Sequence, residues 1–237
     1  MKLLVRPKTK TGVYQQITSE KACWNWLNFE ARLMKKGEEW RFETKEYEIG
    51  IVLLGGNFKV ESNKGNWETK NGRKNVFSGV AHTLYLPRET VFKLTALSEI
   101  LDIAYAWCLA EKSFEPKFIL PENTPMVIFG GDNATRQFND LIPPGFGCSR
   151  IVSREVYTPS GNWSSFPAHK HDKRTLDKVG NLLEPQQDEI YFYKFQKPEA
   201  YAIQQIYTKE EDQPDESLNE IYRAQNNDLV LVPRGYH

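Results

Sequence analysis

Three of the four histidines in this 237-residue chain, His169, His171 and His237, fall in its second half, leaving His82 alone in the first. His169 and His171 close the run Gly161-Asn162-Trp163-Ser164-Ser165-Phe166-Pro167-Ala168-His169-Lys170-His171-Asp172. Residues i and i+2 of a β-strand share a face, so this pair aims two imidazoles inward from one strand, as neighbouring ligands of one ion require. Neutral imidazole suits zinc, iron, nickel or copper, and an added carboxylate admits manganese. Glu189 can supply that carboxylate. It stands at the inner end of Glu189-Ile190-Tyr191-Phe192-Tyr193, whose alternation puts Glu189, Tyr191 and Tyr193 on one face. Finally, an apolar strand from Asp228 to Val232 runs through Pro233-Arg234-Gly235-Tyr236 to His237, which can arrive as a fourth ligand. Each piece alone is weak, because an HxH pair is often merely packed and a Glu before an aromatic strand is often solvated. Together, in this order, they point to one divalent metal ion held by His169, His171, Glu189 and His237. Zinc comes first for such a set, with manganese or iron compatible.

These residues must be positioned by β structure. Short runs rich in β-branched and aromatic residues, punctuated by Gly, Asn and Pro, predict strands over Tyr47–Leu54, Phe58–Glu61, Thr83–Leu86 and Val91–Leu97. The second half repeats the style over Arg150–Tyr157, Glu189–Phe195, Tyr201–Tyr207 and Asp228–Val232. Gly55-Gly56-Asn57 reads as a tight hairpin connection. Helical periodicity is scarce, and single turns are expected near Glu20–Trp26 and Leu97–Asp102. Strands in this number and spacing suggest barrels or sandwiches. Pro116 to Asn139, with Pro121, Pro125 and Gly130-Gly131, reads as the crossing between two halves. The expected organisation is therefore two related β domains: residues 1–115 without metal ligands and residues 116–237 carrying them.

Composition narrows the partners. Thirty-one basic and 31 acidic residues cancel. That argues against nucleic acid, which favours a basic excess, and gives no polybasic membrane contact. Three separated cysteines, Cys23, Cys108 and Cys148, suit free thiols in a reducing compartment. The apolar run near the N-terminus is too short for a secretory signal, and none approaches the roughly 18 residues of a membrane span. A soluble cytoplasmic protein acting on a small molecule, free to form homo-oligomers, is the expectation.

At the metal-type residues the chain resembles the cupin superfamily, whose motifs are a glycine, HxH and a later Glu, then a strand, Pro-x-Gly and His. Two departures stand out: a long gap from His171 to Glu189, and one residue rather than two between Gly235 and His237. Both resemble a narrower family, the 5-deoxyglucuronate isomerases of myo-inositol degradation. That resemblance extends through Glu155-Val156-Tyr157-Thr158-Pro159-Ser160 into the Trp-Ser-Ser-Phe-Pro run and His-Lys-His-Asp, then Asp188–Tyr193, Gln205-Ile206-Tyr207-Thr208 and Val232–His237. It implies an all-β bicupin of two jelly-roll barrels with metal in the second. Members of that family continue past the last histidine, so the second barrel is expected to be incomplete here.

The implied reaction converts 5-deoxy-D-glucuronate, an aldehyde sugar acid, into the ketose acid 5-dehydro-2-deoxy-D-gluconate without an organic cofactor. Such an enzyme needs a Lewis acid, a proton carrier and a grip on the substrate carboxylate. Glu155, on the strand before the HxH segment, is the first candidate for general base. Tyr191 could orient a sugar oxygen, and Asp172 could hydrogen-bond a ligand imidazole, whereas alternation turns Lys170 away from the metal. Arg136, Arg174 and Arg234 are equal candidates for the carboxylate. A cupin-type metal-dependent oxygenase and a non-catalytic sugar-binding bicupin are the competing readings.

Overall fold

The computed structural model describes residues 2–212 and 217–237. In the first half, six antiparallel strands lie in the order Lys117–Ile119, Thr83–Leu86, Tyr47–Gly55, Ile100–Leu109, Asn28–Lys35 and Gly12–Ile17. A second sheet orders Glu39–Glu43, Val91–Ala96, Phe58–Ser62 and Gly65–Glu68. Alternation builds the core between them. Ile49, Ile51 and Leu53 of one sheet meet Phe58, Val60, Phe92 and Leu94 of the other, all essentially shielded from water. The six-stranded sheet is buried on its second face too, where Phe29, Ala31, Leu54 and Ala104 join a cluster with Leu229, Val230, Leu231 and Val232. Burial on both faces explains why Tyr47–Gly55 is apolar almost throughout rather than alternating.

The second half is made of smaller sheets. Leu229–Val232 is the central strand of one, flanked by Glu189–Phe192 and by Leu4–Val5 from the N-terminus. Met126–Phe129, Arg136–Ile142 and Ser153–Tyr157 form another, and Ala202–Tyr207 pairs with Asn219–Ala224. Each half thus lends a strand to the other: Leu4–Val5 pairs in the second, and Lys117–Ile119 pairs with Thr83–Leu86 in the first.

Polar clamps reinforce that exchange. Buried Glu48 accepts from the backbone N–H groups of Ser149 (2.7 Å), Arg150 (2.6 Å) and Ile151 (3.0 Å), and from the Tyr85 hydroxyl (2.9 Å). Lys194 Nζ reaches Asp102 (2.9 Å), the Tyr14 hydroxyl (2.9 Å) and Asn227 (2.7 Å).

Several local expectations change. Gly55-Gly56-Asn57 is not a hairpin, because the strands it joins belong to different sheets. It is a corner in which Gly56 takes φ +93°, and a Cβ there would stand 2.5 Å from the Ile100 carbonyl oxygen. One short helix forms at Ser19–Ala22, capped by Thr18, but Leu97–Asp102 turns into the strand Ile100–Leu109. Pro116–Asn139 is more than a crossing. It holds Lys117–Ile119, Met126–Phe129 and the start of Arg136–Ile142, strands too short between prolines and glycines to show a period. Among the described residues, no helix is long and apolar enough to cross a membrane.

Candidate metal centre

The fully buried strand Leu229–Val232 delivers the last histidine. After it, Gly235 adopts φ +90°, and a Cβ there would stand 2.6 Å from the Tyr207 carbonyl oxygen, so the turn requires glycine. The Gly235 N–H donates to Asp172 Oδ1 (2.7 Å), while Tyr236 and Tyr207 exchange backbone hydrogen bonds of 2.7 and 2.9 Å. Asp172 therefore pins the turn that carries His237; it does not bond an imidazole. The adjacent His237 N–H donates to the His169 carbonyl (3.0 Å), and the His169 N–H donates back (3.3 Å). The HxH segment belongs to no regular strand. It is an extended bridge held by this exchange and by the Gln187 N–H donating to the His171 carbonyl (3.1 Å).

Side chains converge from these backbones. His171 Nε2 lies 2.7 Å from Glu189 Oε2, and His237 Nε2 lies 2.9 Å from the same oxygen. Each ring's other nitrogen faces a main-chain carbonyl, Gln187 for His171 (3.0 Å) and Gly235 for His237 (3.1 Å). A carbonyl only accepts, so both Nδ1 atoms carry hydrogen and both Nε2 atoms present lone pairs in the neutral rings. Contacts this short between ring nitrogens and a carboxylate are closed either by a proton on a ring or by a shared cation. His237 Nε2 is moreover buried without forming any hydrogen bond, the condition of an atom awaiting a ligand. The donor set of His171, Glu189 and His237, with ligand atoms within 4.8 Å of one another, fits a divalent ion of the zinc, manganese or iron type.

His169 stands at the rim. Its exposed ring is centred 4.6 Å from that of His237 and 6.1 Å from that of His171, outside the tight group. Ser165 holds it there: its Oγ is 3.3 Å from His169 Nδ1 and donates to the His237 carbonyl (3.0 Å). Sequence alone gave Ser165 no role, since nothing in a Trp-Ser-Ser run marks which hydroxyl turns inward.

Electrostatics couple the same residues. Burial opposes the charge on Glu189, but its contacts with His171 and His237 outweigh that and bring its pKa down to about 2. Burial works against protonating His171, yet Glu189 prevails and raises its pKa. His169 is lowered, by burial first and then by the neighbouring His237. Tyr191 does face this cluster, its ring centred 5.8 Å from His237. Burial, then the charge of Glu189, raises its pKa far above the usual value and keeps it a donor.

Other sequence candidates lie elsewhere. Glu155 meets the buried Arg73 through both carboxylate oxygens, and Tyr157 closes the group by donating to the Val76 carbonyl (2.6 Å). Lys170 points away, to Asp212 (2.8 Å) and over Tyr236. Arg174 is exposed, Arg234 is half-buried at the turn, and Arg136 is buried.

The KduI/IolB family profile matches residues 3–237. The chain belongs to the KduI/IolB family. It is 32% identical over 229 residues to the 5-deoxy-glucuronate isomerase of Geobacillus kaustophilus strain HTA426, covering 95% of this chain and 78% of the relative. To the enzyme of the same name from Bacillus subtilis strain 168 it is 27% identical, covering 94% and 79%. An IolB-like protein from Salmonella typhimurium LT2 superposes with TM-score 0.91 at 28% identity, over all of this chain and 86% of that one. Lactobacillus farciminis oxalate decarboxylase shares the fold alone, at TM-score 0.61 and 10% identity over all of this chain and 80% of that one. The expectation of an all-β, cupin-like architecture is met, and the chain is an enzyme of the isomerase class.

Proposed function

We propose that the chain is a metal-dependent aldose–ketose isomerase that converts 5-deoxy-D-glucuronate to 5-dehydro-2-deoxy-D-gluconate in myo-inositol breakdown. One observation carries the metal: two histidines, each with Nδ1 committed to a carbonyl, turn Nε2 onto one oxygen of Glu189. The names of the relatives support the substrate. His171, Glu189 and His237 would hold the ion, with His169 as the fourth ligand. Zinc is the first choice of metal, and manganese or iron suits the same donors. In this reading residues 116–237 carry the chemistry and residues 1–115 supply the scaffold. The free cysteines suit a cytoplasmic setting.

The reaction turns the C1 aldehyde into a primary alcohol and the C2 alcohol into a ketone. A proton leaves C2, another reaches C1, and the hydroxyl hydrogen passes from O2 to O1, with no net redox change. A bound divalent ion supplies Lewis-acid polarisation of the carbonyl. Tyr191, held protonated beside Glu189, donates a hydrogen bond that orients a sugar oxygen. Glu155, the first candidate for general base, has both oxygens engaged by Arg73. Its place in this reading is to fix Ser153–Tyr157 against the first half.

Proton NMR of 5-deoxyglucuronate incubated with the protein, before and after chelation and metal restoration, tests the proposal. Conversion that stops with chelator and returns with metal is expected. Absence of conversion by folded, metal-loaded protein overturns it.

A further inference from the structure

Two arginines are buried among the described residues, Arg73 and Arg136. Arg73 has its carboxylate, Glu155, bound through both prongs. Arg136 is 8% exposed and has no carboxylate partner among the described residues. Its single hydrogen bond there runs from Nη1 to the Ala134 carbonyl (2.8 Å), and its Nε is buried with no partner at all. Burying a guanidinium with most of its donors unused is costly unless something else uses them.

The surroundings hold the cation without consuming those donors. Phe129 and Phe138 lie with ring centres 5.6 and 5.4 Å from the guanidinium carbon, so their π faces attract the charge. Gly130 leaves the room: a Cβ there would stand 2.8 Å from Arg136 Nη1.

The position is tied to the metal centre through one short loop. The Thr135 carbonyl accepts from Asn162 Nδ2 (2.8 Å), and the Asn133 carbonyl accepts from the Trp163 N–H (2.7 Å). Two residues on, Ser165 contacts both His169 and the His237 carbonyl.

The geometry points to Arg136 as the residue that holds the carboxylate of the sugar-acid substrate, setting the enzyme's preference for acids over neutral sugars. The assignment rests on the isomerase reading above and selects one of three arginines that the sequence left equal. A planar guanidinium with Nε and a terminal nitrogen unspent is the fork that binds a carboxylate bidentately.

Turnover of 5-deoxyglucuronate is to be compared with that of 5-deoxyglucose, in which a hydroxymethyl group replaces the carboxylate, for wild type, Arg136→Met and Arg136→Lys. In Arg136→Met the KM for the acid should rise about 100-fold, equivalent to about 2.7 kcal/mol. The ratio of kcat/KM for the acid to that for the neutral sugar should fall by the same factor, with metal content retained. Arg136→Lys, which keeps the charge and loses the fork, should fall between. Unaltered preference for the acid in Arg136→Met overturns the assignment. Should that variant not fold, Arg136→Lys decides, and an unmoved KM for the acid overturns it. If wild type turns over neither sugar, the isomerase reading fails separately. Calorimetric binding of D-glucuronate then tests Arg136: loss in the variants supports carboxylate recognition, and equal binding overturns it.

Discussion

His171 presents Nε2 to Glu189 at 2.7 Å while its Nδ1 is turned to the Gln187 carbonyl at 3.0 Å. The carbonyl fixes the tautomer of the neutral ring, leaving Nε2 as the nitrogen open to a metal ion. Glu189→Gln keeps the shape and removes the charge. It is expected to reduce bound metal by at least about 100-fold in affinity and to abolish isomerisation with little change in fold. His171→Ala should do the same. Metal analysis of the purified variants, beside the NMR assay, checks both; full metal content in either would remove that residue from the ligand set.

The same pair sets a pH dependence. In metal-free protein the His171 pKa is raised by Glu189, so its stabilisation is complete below the unfolded value and fades as pH rises through the folded one. Glu189 has the opposite sign: lowered to about 2, it stabilises above its unfolded value and loses that only as pH falls toward 2. Metal requires the proton on His171 Nε2 to leave, so affinity increases with pH. The gap in Tm between metal-loaded and chelated protein should therefore widen from about pH 6 to about pH 8, the range in which histidines titrate. Thermal scans across that interval read it directly, and a gap that narrows would contradict the ligand role of His171.

Gly235 bears on stability and metal together. Its φ of +90° and the Tyr207 carbonyl 2.6 Å from a would-be Cβ leave no room for a side chain. Gly235→Ala should cost on the order of 2 kcal/mol or more, from strain and from displacing the turn. His237 should shift with it, weakening metal binding. Denaturant unfolding and metal titration of this variant measure the two effects; an unchanged midpoint with full metal affinity would show that the turn tolerates the side chain.

How far the sequence reached follows from what each residue type reveals. The grouping of His171, Glu189 and His237 was legible because residues of these types at this spacing in a β context can converge on one point. The rings were legible only as types, since their tautomers depend on the Gln187 and Gly235 carbonyls, and a main-chain carbonyl has no letter in the sequence. Strands such as Thr83–Leu86 could be read to the residue, with turn signals on either side. Met126–Phe129 could not, because four residues between Pro125 and Gly130 show no period. The exchange of Leu4–Val5 and Lys117–Ile119 between halves was hidden for a related reason: pairing partners that are not neighbours in the sequence leave no local mark. Separation in sequence likewise concealed Arg73 as the partner of Glu155, and with it the difference between a free carboxylate and a committed one.

That last pair permits a decisive substitution. Glu155 and Arg73 are both shielded from water, with side-chain exposures of 13% and 3%, and Tyr157 lies 3.3 Å from the shared carboxylate. Removing one partner of such a pair leaves the other charge buried, at a cost of about 3–5 kcal/mol. Glu155→Gln should therefore lower stability by that order, and Arg73→Met by a similar amount. The double variant should recover much of the loss, because no lone charge remains. Activity separates structure from chemistry. If Glu155 acts as a clamp, Glu155→Gln that remains folded at low temperature should keep kcat within about tenfold of wild type, whereas losing a general base costs about 100-fold or more. Unfolding curves for the cycle and single-turnover NMR on the folded variant give both numbers. A stable Glu155→Gln protein with abolished turnover would return Glu155 to the catalytic role and require the Arg73 pair to open during the reaction.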